Sequence, residues 1–108
     1  MNLHDYTRAT NETAIYPEAG TGARLELYYL ALGLTSEAGE VAGKVKKLIR
    51  DDTYDKDALA QELGDVFWYL VRLCNAIGYK PTNIMEININ KLLKRKASNT
   101  IKGDGDVR

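Results

Sequence analysis

Apolar residues recur at three-and-four spacing along most of this chain, and that period commits it to helices. From Arg24 to Arg50 the stripe is Leu27, Leu30, Leu34, Val41, Val45 and Leu48; from Asp55 to about Ile77 it is Leu59, Leu63, Val66, Leu70, Leu73 and Ile77. Glu37 fills the gap between Leu34 and Val41, so one stripe position is acidic. Strand alternation and internal repeats are absent, which makes the chain all-α, a bundle of about four helices. With 108 residues it has the length of one domain, spanning 1–108.

Local signals divide the helices. Residues 2–14 carry helical spacing in Leu3, Tyr6 and Ala9, and Pro17, Gly20 and Gly22 break the pattern between Tyr16 and Gly22. Asp51, Asp52 and Thr53 end the long second helix, and Asp55 is placed to cap the third, which Gly78 terminates. Pro81 and Thr82 open a fourth helix that runs through Met85, Ile89 and Leu92 into Lys94, Arg95 and Lys96. Residues 98–108 read as a flexible tail, although Arg108 and the glycines of that stretch also allow it to fold over an anionic ligand.

Fifteen basic and fifteen acidic residues cancel, which argues against a nucleic-acid polymer or an anionic membrane as partner. Cys74 is the only cysteine, so an intrachain disulfide and a cysteine-cluster zinc site are excluded. No leader pattern is visible, and no stretch reaches the roughly 18 apolar residues of a membrane span. The expectation is a soluble, cytoplasmic protein.

Two segments are apolar on every side: Leu25–Leu34, interrupted by Glu26 and Gly33, and Val66–Val71. So small a bundle cannot bury both alone, which predicts a homo-oligomer. Trp68 lies about 180° from the centre of its helix's stripe and is the expected subunit-interface anchor.

The chemistry concentrates in two acidic pairs, Glu37/Glu40 and Glu62/Asp65. Residues three apart share a helix face. Taking about 100° per residue, Glu37 and Glu40 fall roughly 50° and 110° from their stripe centre, and Glu62 and Asp65 about 60° and 120° from theirs. Both pairs therefore flank the core, and an antiparallel pairing lets them face each other. Like charges 4 Å apart repel by about 4 kcal/mol at an effective dielectric of 20, so four carboxylates there need protonation or a cation. Oxygen-only ligands favour Mg²⁺, with Mn²⁺ as substitute, and Mg²⁺ commonly shares its sphere with phosphates. The competing reading is a solvated helix face on which Glu40 pairs with Lys44. A di-iron centre would want Glu-x-x-His, and the only histidine, His4, lies far off as a surface or packing residue.

Glu37-x-x-Glu40, a spacer of 21 residues and Glu62-x-x-Asp65 together resemble the metal-binding signature of the MazG-like nucleotide pyrophosphohydrolases, within the all-α NTP pyrophosphatase superfamily. The words Ser36-Glu-Ala-Gly-Glu-Val and Gln61-Glu-Leu-Gly-Asp-Val-Phe-Trp-Tyr-Leu match that family's motifs, as does Asn88-x-x-Lys91-Leu92-x-x-Arg95 on the last helix. The resemblance covers most of Arg24 to Lys96.

It implies that Glu37, Glu40, Glu62 and Asp65 hold Mg²⁺ and act catalytically, and that a nucleoside triphosphate is hydrolysed to monophosphate and pyrophosphate. It also implies a homodimer or homotetramer. Asn88, Lys91 and Arg95 share one helix face, suited to phosphate or sugar oxygens. Lys44 and Lys47 are weaker phosphate contacts. Tyr69 points to the side of Glu62 and Asp65, either as a base-stacking residue or as a core tyrosine. Gly39 and Gly43 each cost about 1 kcal/mol in a helix, to be offset by close helix approach or by room for substrate. Sibling activities on dUTP, dCTP or phosphoribosyl-ATP, and a non-enzymatic helical interaction module, are the alternatives.

Overall fold

The computed structural model describes residues 1–103, 105 and 106. Four helices and no strand occur among them: α1 (Leu3–Thr13), α2 (Arg24–Asp51), α3 (Lys56–Ala76) and α4 (Pro81–Ala97). The helix boundaries follow the sequence signals closely. Asn2 caps α1, its Oδ1 accepting from the Asp5 N–H at 2.8 Å, and Asp55 caps α3 by accepting from the Ala58 N–H at 3.0 Å. Asp52 ends α2 in the left-handed region at φ 51°, where the Thr53 N–H reaches back to the Lys47 carbonyl at 3.2 Å. Gly78 plays the corresponding part after α3 at φ 84°, a conformation that costs a residue without Cβ little.

The short connection from Asp52 to Asp55 folds α2 and α3 into an antiparallel hairpin, the main packing unit of the chain. α1 lies against α3, and α4 packs on α3 and α1 but not on α2. Among the described residues the buried apolar core is small: Tyr16, Leu30, Val71 and Cys74. Much of the stripe that reads as core in the sequence is only half covered. Leu63 is 46% and Leu70 42% exposed, and neighbouring Phe67 is 56% exposed. The chain is also extended, with a radius of gyration of 16.5 Å, whereas a compact chain of this length has about 13 Å. No helix among the described residues is long and apolar enough to cross a membrane.

Candidate metal and nucleotide site

The register of the α2–α3 hairpin brings the acidic edges together. Gly33 meets Tyr69, Lys44 and Lys47 share a groove with Ala58, and between these levels Glu37 meets Glu62 and Asp65. One carboxylate oxygen from each of Glu37, Glu62 and Asp65 lies within 4.8 Å of the others. Glu37 and Glu62 are half-buried and Asp65 is exposed, so the triad opens to solvent on one side.

Its electrostatics are those of an uncompensated acidic cluster. Burial pushes the Glu37 carboxyl above its ordinary range, and the charges of Asp65, Glu62 and Glu40 and a hydrogen bond shared with Glu62 push it further. Three oxygen donors with no nitrogen or sulfur among them fit a hard divalent cation.

Glu40 stands outside the triad. It is exposed, yet near enough for its charge to act on Glu37. The Glu40–Lys44 ion pair of the solvated-face reading does not form among the described residues. Lys44 and Lys47 instead line a groove with Thr53, Asp55 and Ala58 near the hairpin turn, and Lys44 lies two helical turns from Glu37.

An open groove of about 400 Å³ joins the acids to aromatic residues; Thr13, Glu37, Asp65, Trp68 and Tyr69 line it. The Tyr69 ring sits over the bare Cα of Gly33, where the Cδ1 and Cζ atoms would be 2.5 Å from an added Cβ. Burial raises the Tyr69 hydroxyl's pKa, helped by a hydrogen bond with Tyr29 and by the charges of Glu37 and Asp65. Tyr69 thus lines the groove beside Glu37 and Asp65.

Trp68, the expected subunit-interface anchor, is half-buried and also has partners within the chain: its Nε1–H donates to Thr13 Oγ1 at 2.8 Å, and its ring meets Tyr69 and Tyr16 edge-on at 5.0 and 5.9 Å. The end of α1, which the stripe angle could not anticipate, covers that side of α3. Gly39 and Gly43 provide no close helix approach, since an added Cβ at either meets nothing within 4 Å. Gly33 is where α2 and α3 come close.

A buried network behind the groove escaped the sequence reading. Glu26 is fully buried, and its carboxylate accepts from the Tyr16 hydroxyl at 2.6 Å and from the N–H groups of Gly20 and Gly22 at 2.6 and 2.8 Å. Buried Arg72 donates to the Tyr16 hydroxyl at 3.3 Å and to Asn11 Oδ1 at 2.5 Å. The network ties the α1–α2 loop to both α1 and α3. The signal was present: Glu26 and Arg72 each interrupt an otherwise apolar run. Tyr6 of α1, whose hydroxyl pKa is raised by burial and then by Asp65, gave no such signal.

On α4, Asn88 is exposed, Lys91 half-buried and Arg95 buried. Lys91 and Arg95 both contact Asp106, within the segment expected to be a flexible tail. Arg108 lies outside the described residues.

A helical hairpin whose two acidic edges converge on an oxygen-donor centre, followed by a basic final helix, defines an all-α class of acidic-centre domains. The chain belongs to the family of the MazG nucleotide pyrophosphohydrolase domain, whose profile matches residues 27–99. It is similar to the "Gene 37 protein" of Mycobacterium phage L5, at 42% identity over 114 residues with all of both chains covered. No solved structure matches the chain significantly. The family match contains Glu37, Glu40, Glu62, Asp65, Lys44, Lys47, Lys91 and Arg95, and leaves out α1, Glu26, Asp106 and Arg108.

Proposed function

We propose that the protein is a Mg²⁺-dependent nucleoside triphosphate pyrophosphohydrolase acting on free, including noncanonical, nucleotides in the cytoplasm. The observation that carries this reading is the convergence of Glu37, Glu62 and Asp65 within 4.8 Å in a chain of this family. These three residues would hold the cation, with Glu40 at the edge of the cluster; Mn²⁺ would substitute. When bound, the ion supplies charge neutralisation to triphosphate oxygens and lowers the pKa of water.

Glu37 or Glu62 orients the attacking water and accepts its proton. The water oxygen bonds to the α-phosphorus, the bond from that phosphorus to the bridging oxygen breaks, and pyrophosphate leaves with that oxygen. Asn88, Lys91 and Arg95 supply donors for phosphate or sugar oxygens, and Lys44 is a more distant phosphate contact. The aromatic wall of Tyr69 suits a nucleobase, because every base has a π-face to stack.

The protomer is also proposed to act as a homodimer or homotetramer. An extended chain with Leu63, Phe67 and Leu70 about half exposed has apolar surface left for a second copy.

The deciding experiment is hydrolysis of a nucleotide panel that includes dUTP, dCTP and phosphoribosyl-ATP, with and without Mg²⁺. Wild type, Glu40→Gln and Glu62→Gln are run side by side, with pyrophosphate detected. Mg²⁺-dependent pyrophosphate release by wild type that Glu62→Gln loses is the expected result. Equal rates for wild type and both variants refute the site.

A further inference from the structure

The basic pair at the end of α4 is occupied by the chain itself. Lys91 and Arg95 stand one turn apart. Lys91 Nζ donates to Asp106 Oδ1 at 3.0 Å, and Arg95 Nη2 donates to the same oxygen at 3.4 Å and to the Gly105 carbonyl at 3.2 Å. The two sides of this contact differ sharply in burial. Arg95 is only 5% exposed, whereas the Asp106 side chain is 84% exposed.

The contact also leaves part of the site unused. Arg95 Nε is buried with no hydrogen-bond partner among the described residues. A guanidinium presents five donors in a planar fork suited to two oxygens at once. A carboxylate that offers one oxygen to both cations fills that fork incompletely, while a phosphate group brings more oxygens and more charge. Lys91 and Arg95 hold the Asp106 carboxyl below its ordinary range, so at neutral pH it is an anion on an anion site. Ion pairs with so exposed a member contribute little net stability and exchange readily.

We propose that the C-terminal segment is an internal stand-in for the anionic ligand: Asp106 and the Gly105 carbonyl occupy the Lys91–Arg95 site and are displaced by phosphate oxygens of the nucleotide. This rests on the nucleotide reading above. The segment competes with binding and leaves the chemistry at the acidic triad untouched, so it sets the nucleotide concentration at which the protein becomes active.

The test uses the full chain with Asp106→Asn, which removes the charge, and Asp106→Glu, which keeps it. KM and kcat for a hydrolysed nucleotide are measured together with calorimetric binding of tripolyphosphate and of inorganic phosphate. Asp106→Asn is expected to lower KM and tighten tripolyphosphate binding about threefold, the scale of an exposed ion pair, at unchanged kcat. The gap should narrow at high salt, and Asp106→Glu should track wild type.

Unchanged affinities in Asp106→Asn, or weaker binding, overturn the proposal. Tighter binding of tripolyphosphate and phosphate with unchanged KM overturns the nucleotide as the displacing ligand. If no protein hydrolyses any nucleotide, the nucleotide reading fails on its own, and the tripolyphosphate comparison still decides whether Asp106 blocks an anion site.

Discussion

The ring of Tyr69 lies directly over the Cα of Gly33, so that α2 and α3 touch one helical turn from the acidic triad. A methyl group at residue 33 has nowhere to go unless the ring moves. Gly33→Ala should therefore cost about 1–3 kcal/mol through overpacking, in spite of the better helix propensity of alanine. Denaturant unfolding checks the stability, and a raised KM checks that the displaced ring lines the nucleotide groove.

Removing one carboxylate from the triad relieves repulsion and removes a ligand at once. Without divalent cation, Glu37→Gln should melt a few degrees above wild type, since about 1 kcal/mol moves a domain of this size by 4–8 °C. With Mg²⁺ or Mn²⁺ the order should reverse, because binding to the native state stabilises wild type by about 2.7 kcal/mol at a hundred times Kd. Turnover should fall by about 10² or more if Glu37 positions the water. Thermal melts with and without metal separate this from mere damage to the fold.

Buried Glu26 gives the fold a defined weakness to acid. Burial alone would raise its pKa, but hydrogen bonds from Tyr16, Gly20 and Gly22 and the charge of Arg72 outweigh this and hold it below the ordinary range. A depressed native pKa means that the unfolded chain takes up the proton first. The stabilisation is complete above the unfolded carboxylate value of about 4.5 and is lost as pH falls from there through the lowered native value. Glu26→Gln should flatten that part of the stability–pH curve. Glu26→Ala, which leaves the Tyr16 hydroxyl and the Gly20 and Gly22 N–H groups without their acceptor and buried Arg72 without a facing negative charge, should cost about 3–5 kcal/mol. Urea midpoints between pH 3 and 7 would reveal both effects.

The hydrogen bond from Trp68 to Thr13 anchors the last residue of α1 beside the groove. Thr13→Val should cost about 0.5–1.5 kcal/mol. Because Trp68 is the only tryptophan, its fluorescence reports the surroundings of this contact, and its emission should shift to the red as α1 frays.

If Leu63, Phe67 and Leu70 meet a second copy, a charge among them should block assembly. Phe67→Glu is expected to convert the oligomer to monomer in sedimentation velocity at micromolar concentration. A wild type that already sediments as a monomer would remove the oligomer from the proposal.

The helices and their ends were legible from residue order because they answer to short-range physics. Asp55 capped α3 where its position predicted, and Gly78 turned the chain where only a left-handed residue fits well. The approach of Glu37 to Glu62 and Asp65 was also readable, since it needs only the 3.6-residue period and an antiparallel hairpin, whereas Glu40, expected in the same cluster, stands outside it.

What the period could not supply was where α1, Gly105 and Asp106 come to rest. A stripe angle places Trp68 opposite the core, and only the docking of α1 gives its indole a partner in Thr13. Glu26 and Arg72 look like interruptions in apolar runs until the α1–α2 loop folds over them and turns two buried charges into one satisfied network. Gly33, not Gly39 or Gly43, proved to be the point of close approach because the hairpin's rotational setting depends on all of its contacts at once. Helix period and caps act within a few residues and so are written in the sequence. The partners of Trp68, Glu26 and Arg95 lie far along the chain or across a turn, and folding alone selected them.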